Sequence, residues 1–156
     1  METIEELTGR FPRSGRVEWI GLRPARLAPV VSVANARALH TGLEGDHREK
    51  EGMRAVTLIQ YEHLPAIAAL AGLSEIDPAL LRRNLAVSGI NLLALKGRMF
   101  RVGRAVLKGT DICAPCSRME AALGPGGYNA MRGHGGLCAA VIEEGEIKVG
   151  SEIAAL

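Results

Sequence analysis

The chain has 156 residues and a mass of 16.6 kDa, with 47% apolar and 23% charged residues and a formal net charge of +2. That length supports one hydrophobic core without disulfide or metal staples, and that composition excludes a disordered chain. No run of 18 apolar residues offers a membrane span, and so mild a positive charge does not argue for nucleic acid.

Aromatic residues are only 3% and glycines number 19, so the core must be aliphatic and the turns many, as in a chain of short strands. Residues 1–14 are a charged lead-in whose acidic start lacks the apolar region of a secretory signal. Residues 15–156 read as one domain. Val17 to Leu22 predicts a first strand, and Pro29 to Leu39 a second. Gly42-Leu43-Glu44-Gly45-Asp46 predicts a turn, and Val56 to Ile59 a buried strand. Leu64, Ile67, Ala68 and Ala71 then fall on one helical face, closed by Gly72. Asp77-Pro78 caps a short helical stretch towards Arg82. Strands follow at Leu85 to Val87, Asn91 to Leu95, Met99 to Val102 and Ala105 to Leu107, with glycines between them. Pro115 to Leu123 reads as a short helix, and Gly136 to Ile153 as a closing hairpin turned at Glu144-Gly145. The sum is a mainly β barrel or meander with a few inserted helices.

Four stretches carry residues with chemical potential. Cys113-Ala114-Pro115-Cys116 fits a redox pair, half a metal site, or two small buried hydrophobes. Cys116 lies at the start of the predicted helix with Arg118 two residues on, two features that favour a thiolate. His134 and Cys138 complete a zinc-like spacing with the two cysteines, although Cys138 lies in an apolar run. Gly42 to Arg48 is either a ligand-approaching loop or a charged hairpin tip. Arg82-Arg83-Asn84 is either a phosphate clamp beside a heterocycle contact or a pair of arginines capping helix carbonyls. His134, set among Gly133, Gly135 and Gly136, is a base, a ligand or a turn residue; His47 and His63 read as surface residues. The three cysteines form an odd set without an export signal, which predicts free thiols and a cytoplasmic location. Arginine outnumbers lysine 15 to 4, which suits an anionic small ligand but is better explained by a GC-rich genome.

Taken in order, GLEGD at Gly42 to Asp46, VTLIQYEHL at Val56 to Leu64, RRNLAVSGINL at Arg82 to Leu92, Pro115-Cys116 and the closing Gly135 to Ile153 resemble the MOSC domain. That family is named from the C-terminal domain of molybdenum-cofactor sulfurases. The resemblance covers about Val17 to Ile153 and implies a β-barrel like that of pyruvate kinase.

The resemblance also implies a role with the molybdenum cofactor, as a sulfur carrier or as a reductase of N-hydroxylated compounds. Cys116 matches the family's cysteine, the one that carries sulfur or ligates molybdenum. Arg82 and Arg83 would then clamp the molybdopterin phosphate, while Asn84, Gly45 and Asp46 would contact the pterin. Cys113 and Cys138 match no family-wide position. The sulfurases' pyridoxal-phosphate domain has no counterpart in these 156 residues, so the resemblance is to a stand-alone MOSC domain. It implies a separate electron-transfer partner for a reductase, or a separate cysteine desulfurase for a carrier. Neither a nucleic-acid nor a membrane partner is expected, and an oligomer remains open. A non-catalytic barrel module, with or without stabilising zinc, is the reading from a different class.

Overall fold

The computed structural model describes residues 1–156 and consists of eleven strands, four short α-helices and two 3₁₀ turns. In chain order these are α1 (Ile4–Thr8), β1 (Gly15–Leu22), β2 (Val31–Val33), β3 (Asn35–Leu39), β4 (Gly42–Leu43), β5 (Val56–Gln60) and α2 (His63–Ala71). They continue with β6 (Leu85–Ser88), β7 (Met99–Val102), β8 (Ala105–Ile112), α3 (Ser117–Leu123), α4 (Gly127–Met131), β9 (Leu137–Glu143), β10 (Gly145–Lys148) and β11 (Glu152–Ala155). The 3₁₀ turns are Pro78–Leu81 and Leu92–Leu95.

Seven strands close a barrel in the order β11, β7, β8, β9, β5, β6, β1, with β11 pairing back onto β1 at Gly15↔Ile153 and Arg16↔Glu152. The pairings around the ring are antiparallel except β5 with β6. That parallel pair needs a crossover, which α2 and the Pro78–Leu81 turn supply. β2 extends the free edge at the end of β1, and β10, β3 and β4 form a second small sheet.

Two cores explain why β5 is buried along its whole length. Val56 and Leu58 face the 22-residue barrel core with Leu85, Val87, Leu137 and Phe100. Ile59 and Ala86 face outward into a second cluster with Leu64 and Ile67 of α2, Met119 and Leu123 of α3, and Met131 of α4. The small sheet adds Ala36, Ala38, Leu43 and Ile147 to the barrel core.

Several expectations change. The lead-in is not wholly loose: α1 forms in it, closed by a capping box between Thr3 and Glu6. The second strand divides into β2 and β3, which join different sheets. Asn91 to Leu95 is a 3₁₀ turn, because the Asn91 side chain caps it through the Leu93 N–H. The closing hairpin does not exist, since β10 pairs with β3 while β11 pairs with β7 and β1. The short α4, after Gly126, had no sequence counterpart.

Candidate functional site

Four connections meet at one rim of the barrel: the residues after β1, the turn after β4, the segment before β6, and the loops flanking β8 and β9. Arg23, just past the end of β1, ties the first three together. Its backbone N–H and Nε donate to Asp46 Oδ1 at 2.7 and 3.2 Å, and its Nη2 donates to Asp46 Oδ2 at 2.8 Å. The same guanidinium donates to Asn84 Oδ1 at 3.2 Å and to the Arg82 carbonyl at 3.4 Å. The Asp46 side chain is wholly buried and that of Arg23 nearly so.

Asn84 is fully buried. Its Oδ1 accepts from Thr57 N–H and Oγ1 as well as from Arg23, and its Nδ2 donates to Gly21 O at 3.1 Å. Both amide atoms are therefore engaged by protein. Arg83 is also buried and has no carboxylate partner. It donates to Gly135 O at 2.8 Å, Leu81 O at 3.0 Å and Ala114 O at 3.3 Å. It thus straps the Cys113–Cys116 loop to the glycine loop before β9. Gly135 permits that approach, because a Cβ there would collide with the Cys113 carbonyl.

Arg82 diverges from Arg83, so the two do not act as a clamp in this structure. Its φ is +56°, in the left-handed region that side-chain-bearing residues seldom adopt. That geometry sends the guanidinium outward to Ala28 O at 2.6 Å and Arg26 O at 3.0 Å, latching the loop after β1. Arg118 Nη1 reaches the same Arg26 carbonyl at 2.9 Å. Burial lowers the Arg82 pKa first, and the positive charges of Arg118 and Arg23 lower it further; Asp46 and the Cys116 sulfur act in the opposite direction. Arg82 thus lies within reach of two further guanidiniums, of the Cys116 sulfur and of one buried carboxylate, which is itself ion-paired to Arg23.

Cys116 itself is exposed, at the N-cap of α3 with extended backbone. Gly45 is exposed at the turn after β4, with φ +95°. Cys113, just past the end of β8, and Cys138, on β9, are buried thiols that interact with each other. His134 pairs with His63 and not with the cysteines. No group of three or more His, Cys, Asp and Glu side chains gathers anywhere, so Cys113, Cys116, His134 and Cys138 do not form a closed zinc site. Nor is His63 a plain surface histidine. Sequence reading missed Arg23, whose signal is only an Arg-Pro pair ending a strand, and the His63 pairing, which has no local signal.

In kind, these residues fit a sulfur-ligated metal on an anionic carrier. Cys116 offers an exposed soft ligand, and the cation excess beside it offers countercharge.

A family model described as the MOSC domain matches residues 33–154. Among solved structures, the YuaD protein from Bacillus subtilis superposes with a TM-score of 0.74 at 19% identity, covering 92% of this chain and 97% of that one. YiiM from Geobacillus stearothermophilus gives 0.75 at 17% identity, covering 91% and 75%. YiiM from Escherichia coli gives 0.71 at 20% identity, covering 90% and 69%. These likenesses bear on the barrel alone. No curated protein matches the chain.

Proposed function

The chain belongs to the MOSC domain family, and from that premise we propose that it binds the molybdenum cofactor, with the Cys116 thiolate as the metal's protein ligand. One observation carries the reading: an exposed thiol lies within electrostatic reach of Arg82, which also feels Arg118 and Arg23, while the one nearby carboxylate is buried and ion-paired to Arg23. A thiolate is the side chain suited to a thiophilic metal. Arg82 and Arg118 supply positive charge for the phosphate of the pterin, a fork geometry that lysine lacks. Asp46 and Asn84 act one layer below, holding Arg23 and the turn bearing Gly45 in place. Arg83 fixes the Cys116 loop from beneath through Ala114 O.

When bound, the cofactor supplies oxygen-transfer redox chemistry, which suits reduction of an N-hydroxylated substrate. The chain's own contribution is to bind, orient and neutralise charge. Electrons come from a separate protein partner. The test is elemental analysis of protein produced with the cofactor pathway intact. Wild type carries molybdenum and Cys116→Ala does not. Wild type without molybdenum, or the same content in Cys116→Ala, contradicts the reading.

The exposure of Cys116 favours a second reading, since a protein donor can reach it. In that reading Cys116 takes a sulfane sulfur from a desulfurase persulfide; Cys116 becomes a persulfide and the donor returns to a thiol. Mass spectrometry after incubation with a cysteine desulfurase and cysteine shows one added sulfur on the Cys116 peptide. An unmodified peptide removes the carrier role.

A further inference from the structure

We propose that His63 and His134 form a two-imidazole site for a divalent transition-metal ion of the zinc or nickel class, and that this ion pins the glycine loop before β9 to the start of α2.

The two Nδ1 atoms face each other at 3.3 Å, with ring centroids 4.8 Å apart and planes at 89°. As an N–H···N hydrogen bond that separation is long. Two nitrogen ligands about 2.0–2.1 Å from one tetrahedral ion are held about 3.3 Å apart.

Both backbones are set before any ion arrives. His63 is the first residue of α2. His134 closes a turn after α4 through its N–H to Met131 O at 2.8 Å, with Gly133 at φ +83° making that turn possible. Both rings are half-buried, so the remaining coordination positions are open to water.

The electrical surroundings fit a cation. Glu62 precedes His63 and lines a cavity of about 350 Å³ with it; its two carboxylate oxygens are fixed by Gln60 Nε2 at 3.0 Å and Gly89 N–H at 2.8 Å. Arg13 is the opposing charge on that cavity wall. Burial, followed by the neighbouring His134, holds the His63 pKa below its ordinary value, which keeps its ring in the neutral form that metals require.

The position gives the ion a consequence. Gly135, next to His134, accepts from Arg83, which also holds Ala114 in the Cys116 loop. An ion on the histidine pair therefore stiffens the support of Cys116 without touching it. The proposal stands independently of molybdenum binding at Cys116.

Calorimetric titration of Zn²⁺ and Ni²⁺ into the reduced, metal-free chain tests it. Wild type and Cys116→Ser bind one equivalent alike, while His63→Ala and His134→Ala each weaken binding by about tenfold or more. Equal binding in wild type and both histidine variants, or none in wild type, overturns the proposal. A second measurement needs only the wild-type chain: with one equivalent of Zn²⁺, the ¹⁵N resonances of both Nδ1 atoms shift to metal-bound values. Unchanged resonances leave a plain imidazole hydrogen bond and overturn it equally.

Discussion

Arg23 is the hub of the rim, since one guanidinium holds the buried carboxylate of Asp46, the amide of Asn84 and the carbonyl of Arg82. Asn84 and Arg83 look from the sequence like groups that reach a ligand. Polarity alone does not distinguish a reaching side chain from a buried strap, because burial is decided by distant segments. Cys116 was singled out for a different reason, the order of several motifs around it, and the structure places it exposed at the start of α3. A buried pair below it makes a separate prediction. The hydrogen bond from Cys138, then the charges of Arg83 and Arg54, holds the Cys113 thiol down at about 6 against the opposing effect of burial; Cys138 is correspondingly pushed up, first by its bond to Cys113 and then by burial. An acid depressed on folding stabilises the native state above its unfolded value, near 8.5 for a thiol, and loses that contribution as pH falls through the folded value. Stability measured by urea titration therefore rises from about pH 6 to about pH 8.5. Above that range the reluctant Cys138 reverses the slope, because the unfolded chain gives up a proton that the native chain keeps. Cys113→Ser flattens the rise; an unchanged slope in that variant refutes the assignment.

Elements are held at the site by backbone carbonyls, and the two neighbouring arginines differ in what their loss exposes. Arg83→Leu leaves the carbonyls of Leu81, Ala114 and Gly135 without their buried donor. Its cost is about 3 kcal/mol, taking hydrogen bonds to a charged group as the guide. Arg82→Gly relieves the left-handed backbone, and water replaces the lost donors at the outer loop, so it costs about 1 kcal/mol or less. Chemical denaturation of the two variants checks the contrast, and equal losses contradict it. The same scale shows where local pattern succeeds and fails. Helix α2 was legible because its apolar spacing and the Gly72 C-cap are contained within the segment. The 3₁₀ turn at Leu92–Leu95 passed for a strand because Leu92 and Leu95 both point into a core. The strands on either side of Glu144-Gly145 passed for a hairpin because their partners, β5 and β8 for β9 and β3 for β10, lie far away in sequence.

The whole molecule is a barrel with a helical layer on one outer face, and its two cores answer differently to mutation. Phe100 is fully buried in the barrel core of a chain that has few rings to spare. Phe100→Ala costs about 3–5 kcal/mol and lowers the melting transition as a whole. A loss below about 1 kcal/mol contradicts its place there. The barrel class was legible from short glycine-separated strands. Its closure through β11 and β1 was not, because two pairs of residues at opposite ends of the chain make that seam. The straps and the cations of the rim converge on one exposed sulfur, that of Cys116. X-ray absorption at the molybdenum edge of cofactor-loaded protein counts the sulfur atoms around the metal. Cys116→Ser loaded by exchange shows one sulfur fewer than wild type; the same sulfur count in both contradicts Cys116 as the metal's ligand.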